Sequence, residues 1–177
     1  MGAQTGTFFW GASEGGNLPD SPQFEKPEDT LPFVVFSLAG ETFAVEITRI
    51  REIIRIPKVT WVPGAPELIR GVINLRGNVV AVLDLATILS LPISVETPKS
   101  RIIVAETGDQ VAGMLVDSVS RVSDIAPSQV EPALHTLDES QRSYVIAQSS
   151  LDEKLIGILD LEQIMERVRA TKTENPT

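Results

Sequence analysis

The chain has 177 residues, no cysteine, a single histidine, and a formal net charge of −9 from 24 acidic and 15 basic side chains. Without cysteine there can be no disulfide, thiolate nucleophile or cysteine-ligated zinc, which suits a reducing cytoplasm, and the acidic balance argues against nucleic acid or anionic lipid as a partner. No apolar run approaches the roughly eighteen residues of a membrane span, so no direct membrane insertion is expected, and a core of about 140 residues can bury enough surface to fold without metal or disulfide.

Residues 1–31 are rich in Gly, Pro, Ser and acidic side chains and read as a flexible tail. Within it, Phe8-Phe9-Trp10 is either a short docking motif or an adventitious aromatic cluster. Residues 32–170 then read as a mainly β domain of many short strands. Phe33 to Leu38 and Phe43 to Ile47 flank Ala39-Gly40-Glu41-Thr42, whose glycine can take the positive φ of a hairpin turn. Thr48 is placed to cap a short helix with Ile47, Ile50, Ile53 and Ile54 on one face, stopped by Pro57. Thr60-Trp61-Val62 reads as a brief strand. Gly71 to Leu75 and Val79 to Leu85 then form a tight hairpin whose polar turn carries Arg76. Arg101 to Val119 reads as a further hairpin around Thr107-Gly108-Asp109, and Tyr144 to Gln148 with Leu155 to Leu159 as the last. Residues 171–177 are polar and expected to fray.

The chain also resembles itself. An offset of 76 lays Val79, Val80, Val82, Leu83, Asp84, Leu85, Ile88 and Leu89 over Leu155, Ile156, Ile158, Leu159, Asp160, Leu161, Ile164 and Met165. An offset of 68 lays Val34-Val35-Phe36, Gly40, Glu41, Phe43 and Ala44 over Ile102-Ile103-Val104, Gly108, Asp109, Val111 and Ala112. One inserted residue then continues Ile47, Ile50 and Ile53 over Val116, Val119 and Val122. The same strand plan therefore occurs twice, in residues 33–90 and 101–166. Copies this small suit five-stranded barrels packed side by side with a groove at the seam.

Reactive chemistry is scarce. His135 has no cysteine to activate and no second imidazole with which to share a metal, and no strand–Gly-rich loop–helix unit offers a phosphate site. Asp84 and Asp160 sit where a strand gives way to a helix and read most simply as N-caps. No catalytic residue, cofactor or metal is expected, and the chain reads as a binding module. Its Arg76 is always ionised and rich in donors, so at a hairpin tip it can lock to a carboxylate of its own fold or grip a partner. Glu52, beside Arg51 and Arg55, is one candidate mate. A solvated arginine is the other reading.

The run Pro63-Gly64-Ala65-Pro66-Glu67-Leu68-Ile69-Arg70 followed by Gly71-Val72-Ile73-Asn74-Leu75-Arg76-Gly77 resembles the most recognisable segment of the CheW family, the chemotaxis adaptor proteins of bacterial chemoreceptor arrays. The resemblance spans residues 32 to about 168. It implies two SH3-like β-barrels with short connecting helices and a C-terminal helix. It also implies a cytoplasmic, non-catalytic scaffold, monomeric in isolation and recruited to arrays. Such a scaffold joins methyl-accepting chemoreceptor tips to the regulatory domain of a CheA-type histidine kinase. By the same resemblance Ile50, Glu52, Asn74 and Arg76 fall on the receptor-facing surface, and Val130, Glu131, Pro132 and Leu134 match, less closely, a loop used in kinase contact. Ala81 departs from the proline usual at its place and should make its strand easier to pair. A detached regulatory domain of a CheA-like kinase is the alternative reading, with a small-molecule-binding barrel a more distant one.

Overall fold

A computed structural model describes residues 29–174 except 134 and 136. The Phe8-Phe9-Trp10 cluster and Leu134 lie outside the described residues. Among the described residues eleven strands run β1 (Leu31–Leu38), β2 (Glu41–Glu46), β3 (Ile50–Arg55), β4 (Ile69–Leu75), β5 (Asn78–Asp84), β6 (Arg101–Thr107), β7 (Gln110–Val116), β8 (Ser118–Ile125), β9 (Val130–Pro132), β10 (Val145–Leu151) and β11 (Lys154–Leu159). Helices α1 (Leu85–Ile88) and α3 (Leu161–Glu174) follow β5 and β11, and the single turn α2 (Glu139–Arg142) precedes β10.

The strands form two sheets, ordered β8-β1-β2-β11-β10-β9 and β3-β6-β7-β5-β4. Each is antiparallel except for one internal pair, β11 beside β2 and β5 beside β7. Strand for strand, β8, β1, β2, β11 and β10 take the places of β3, β6, β7, β5 and β4, so the duplicated plan read from the sequence is real.

Its partition is not the one expected. Residues 33–90 do not build one sheet and 101–166 the other. The β1–β2 hairpin joins the strands of the second repeat, while β6–β7 joins those of the first. The repeats have exchanged their leading hairpins, an arrangement that a search for sequence similarity does not detect because it compares residue types and not partners.

The offset of 68 also needs correction by one residue. The two-residue turn Ala39-Gly40 falls on Gly108-Asp109, an offset of 69, since Leu38 pairs with Glu41 and Thr107 with Gln110. Because strand side chains alternate between faces, an error of one would exchange inside for outside. With 69, Val34, Phe36, Phe43 and Val45 fall on Ile103, Ala105, Ala112 and Met114, all in one core. Phe33 and Val35 then fall on Ile102 and Val104, which line the interior of the other sheet. Gly40 is the second residue of its turn and Gly108 the first of its own, so matching glycine to glycine shifts the register by one.

Three apolar clusters follow from this alternation. The largest lies between the sheets and takes in Leu85, Ile88 and Leu89 after β5 and Leu161, Ile164, Met165 and Val168 of α3. Each sheet also encloses a small core of its own, Phe33, Val35, Ala44, Ile125, Ile156 and Ile158 in one and Ile73, Val80, Val82, Ile102 and Val104 in the other. Both faces of the central strands are therefore apolar, which accounts for unbroken runs such as Val34-Val35-Phe36 and Ile102-Ile103-Val104.

The ladders do not close into hydrogen-bonded barrels; the chain itself joins the edges. After β3 at one edge, residues 56–60 carry the backbone to the other, where Thr60 bridges Val72 of β4 through two 2.8 Å hydrogen bonds. After β8, residues 126–129 likewise lead to β9 beside β10. Proline stands in each crossing, Pro57 and Pro127, where no ladder donor is needed. Gly71 permits the first crossing to approach closely, since a Cβ there would lie 2.4 Å from the Thr60 carbonyl oxygen.

Three local expectations change. The helix at Ile47 to Ile54 is a 3₁₀ turn, Ile47–Arg49, leading into strand β3. Its run of β-branched isoleucines loses rotamer freedom in a helix and packs well on a pleated surface, and β6 supplies a partner. Trp61 and Val62 are not in a strand; only Thr60 pairs. Residues 171–174 continue α3 instead of fraying. Both aspartate caps are present, Asp84 Oδ1 accepting from the Thr87 N–H at 3.1 Å and Asp160 Oδ1 from the Glu162 N–H at 2.9 Å. Ala81 lies in β5 with strands on both sides, opposite Val72 and Ala112. Among the described residues no helix is long and apolar enough to cross a membrane.

Candidate functional site

The β4–β5 hairpin turns through Arg76 and Gly77 alone, with Leu75 opposite Asn78. Both residues take positive φ, 53° and 87°. Two left-handed residues make the turn that matches the natural twist of paired strands. Glycine adopts this conformation freely, but for arginine it costs on the order of 1 kcal/mol. Asn74 helps to hold it, since its Oδ1 accepts the Gly77 N–H at 2.9 Å. Asn74 thus supports the turn from within.

Arg76 reaches from this tip to the opposite edge of the same sheet, where its Nη2 lies 3.0 Å from Glu52 Oε2 on β3. The arginine side chain is 79% exposed and the glutamate 22%. Of the two readings left open by the sequence, the pair is the one realised, although Glu52 stands on a strand and not on a helix. Because β3 and β4 are the two edges of the ladder, the pair also clasps the curled sheet where backbone pairing stops.

Glu52 is aimed by a bulge. Pairing with β6 shifts between Ile50, opposite Ala105, and Glu52, opposite Val104. An extra residue in one strand locally redirects its side chains. Ile50 packs half-buried against the large core, while Arg51 projects to Glu106 at 3.4 Å. The surface beside the clasp is a cleft of about 450 Å³ whose lining includes Arg51, Glu52, Arg76, Val79 and Gln110. Val79 is 75% exposed, and Gln110 Oε1, though buried, finds no donor among the described residues. An exposed apolar side chain and an oriented cation suit recognition of another protein surface. Val79 and Gln110 carry no sequence motif; alternation alone would have placed Val79 outward.

The second group of sequence-derived residues lies elsewhere. Val130, Glu131 and Pro132 form edge strand β9 on the other sheet instead of a loop, pairing with Ser149, Gln148 and Ala147. Proline is tolerated there because the outer side of an edge strand needs no donor. Val130 is half-buried against that sheet's interior, and Glu131 and Pro132 are exposed. Glu131 Oε2 accepts a long, 3.4 Å hydrogen bond from Gln148 Nε2. His135 is exposed, with its carbonyl accepting from the Arg142 guanidinium. Among the described residues no cluster of three His, Asp or Glu side chains could hold a metal.

This duplicated two-sheet β fold, with an ion-paired hairpin tip at the edge of one sheet, places the chain among interaction modules built on paired small β units. The family model for the CheW-like domain matches residues 32–169, and the chain belongs to that family. It is 31% identical over 144 residues to the chemotaxis protein CheW of Helicobacter pylori, covering 81% of this chain and 86% of that one. Against CheW of Bacillus subtilis identity is 31%, with 76% and 86% covered. The crystal structure of the scaffolding protein TtCheW from Thermoanaerobacter tengcongensis superposes with a TM-score of 0.69 at 32% identity, covering 80% of this chain and 91% of that one.

Proposed function

We propose that the protein is a non-catalytic adaptor that couples the cytoplasmic tips of chemoreceptors to the regulatory domain of a CheA-type histidine kinase. The observation that carries this reading is the Glu52–Arg76 clasp, in which two polar residues from separate elements meet on an exposed edge and line a cleft together with the exposed Val79. A receptor tip is a helical hairpin. One of its helices, laid in this cleft, would cover Val79 while the ion pair sets its register. Membership of a family that includes chemotaxis proteins and a scaffolding protein supports the same reading.

Val130, Glu131 and Pro132, on an edge of the other sheet, are the proposed kinase-facing residues. Their separation from the clasp lets one molecule touch two partners at once. Modest affinities suffice, because repeated weak contacts in an array act together. Co-sedimentation of the full chain with a receptor-tip fragment and a kinase regulatory domain tests the proposal. Ternary pelleting is the expected result; recovery of neither partner would overturn it.

A further inference from the structure

The clasp has a counterpart with its charges exchanged. In the other sheet the β10–β11 hairpin turns through Asp152 and Glu153, both at positive φ, 50° and 65°, and these take the places of Arg76 and Gly77. Asp152 is ion-paired at 2.5 Å to Arg121 of β8, the edge strand equivalent to β3, and Arg121 takes the place of Glu52. Leu155, 55% exposed, takes the place of Val79. A cleft of about 530 Å³ beside it includes Glu41, Thr42 and Lys154, the counterparts of Gln110, Val111 and Asn78, but extends away from the ion pair, so that Arg121 and Asp152 lie outside its lining. The two ends therefore share turn type, exposed aliphatic residue and cross-edge ion pair, and differ in the sign at each member of the pair.

We infer that Arg121 and Asp152 are specificity determinants: by presenting the clasp with reversed charge, they refuse at this end a partner shaped for the Arg76 end. The inference rests on the adaptor reading. A duplicated fold has an inherent ambiguity, because a surface complementary to one copy fits the other. Charge reversal resolves it at little structural cost, since either order of signs clasps the sheet equally well. For an incoming partner the orders are not equivalent. A carboxylate placed to meet the exposed Arg76 would meet Asp152 instead, and like charges brought together at an interface repel. The second cleft also differs in shape, because Leu137 and Gln141 help to line it, so charge and shape make separable predictions.

The test is calorimetric titration of the full chain with a chemoreceptor-tip helical hairpin. Wild type should bind one hairpin, and Arg76→Glu should weaken binding at least about ten-fold. Adding Arg121→Glu and Asp152→Arg to that variant converts the second end to the charge order of the first, and should restore affinity to within about three-fold of wild type. Melting temperature checks the fold of each protein. Should the triple variant be unfolded, the neutral pair Arg121→Gln and Asp152→Asn in the Arg76→Glu background should give partial recovery. Folded variants that stay at the Arg76→Glu level would overturn the inference and assign discrimination to Leu137 and Gln141. Two hairpins bound by wild type would also overturn it, and no hairpin bound by wild type would instead remove the adaptor reading.

Discussion

Ala44 of β2 and Ile158 of β11 are neighbours in a parallel strand pair although they come from opposite ends of the domain. Gly113 of β7 and Val82 of β5 take the same places in the other sheet, again as a parallel pair drawn from different repeats. Each sheet is thus completed by the hairpin of the other repeat, and neither repeat owns a full set of partners.

Fragments comprising residues 29–97 and 98–174 should therefore each fail to fold. In the first, β1–β2 would lack β8 and β11; in the second, β6–β7 would lack β3 and β5. Amide spectra of each fragment alone should be poorly dispersed, and mixing them should restore the dispersion of the intact chain. A well-dispersed spectrum from either half by itself would contradict the exchanged arrangement.

Replacing Arg76 separates stability from recognition. Arg76→Gly relieves left-handed strain of about 1 kcal/mol and gives up a solvent-screened ion pair worth roughly 0–1 kcal/mol. The two nearly cancel, so the melting temperature should move by no more than about 3 °C. Capture of a receptor-tip hairpin should nevertheless fall, because the cation at the tip is gone. Comparing thermal unfolding with hairpin capture for the same preparation checks both halves of the prediction.

Asn74 should matter through the turn. Asn74→Ala removes the acceptor for the Gly77 N–H and should cost about 1 kcal/mol. Hydrogen exchange at the Gly77 amide should accelerate, and hairpin capture should weaken because Arg76 is less firmly aimed. Asn74→Asp keeps the acceptor and should preserve slow exchange. A direct contact role for Asn74 would instead reduce capture while leaving Gly77 exchange unchanged.

Gly71→Ala tests the edge crossing. The added methyl would lie 2.4 Å from the Thr60 carbonyl oxygen and 2.8 Å from a Val59 methyl. The backbone of residues 59–60 would have to withdraw, breaking the Thr60–Val72 bridge. The expected loss is about 3 kcal/mol, a fall in melting temperature on the order of 10 °C. Gly77→Ala, with open space around it, should cost less, since its penalty is the left-handed φ alone.

Much of this was legible along the chain because it depends on neighbours in sequence. The turn at Ala39-Gly40, the Arg76-Gly77 hairpin and the caps Asp84 and Asp160 all follow from local chemistry. So does the offset of 76, which carries Leu83, Leu85 and Ile88 onto Leu159, Leu161 and Ile164, all in the shared core. The segment after Ile47 misled because its isoleucines also fit a helical spacing, and only the presence of β6 alongside shows why the strand wins. Val130 to Pro132 read as a loop for the opposite reason, being too short to show a period without its partner β10. Glu52 could be named as a mate for Arg76, but the bulge at Arg51 that aims it arises from pairing.

By itself the sequence determined the class of fold, the existence of two copies, the absence of thiol chemistry and the family, since composition, turn residues and apolar alternation are properties of the chain read in order. Tertiary structure alone decided which copy lends its hairpin to which sheet, that Glu52 faces Arg76 across a ladder edge, and that Arg121 and Asp152 repeat that clasp with opposite signs. Those facts depend on strand partners far apart in the chain, and backbone hydrogen bonds, which make the pairing, carry no mark of residue type.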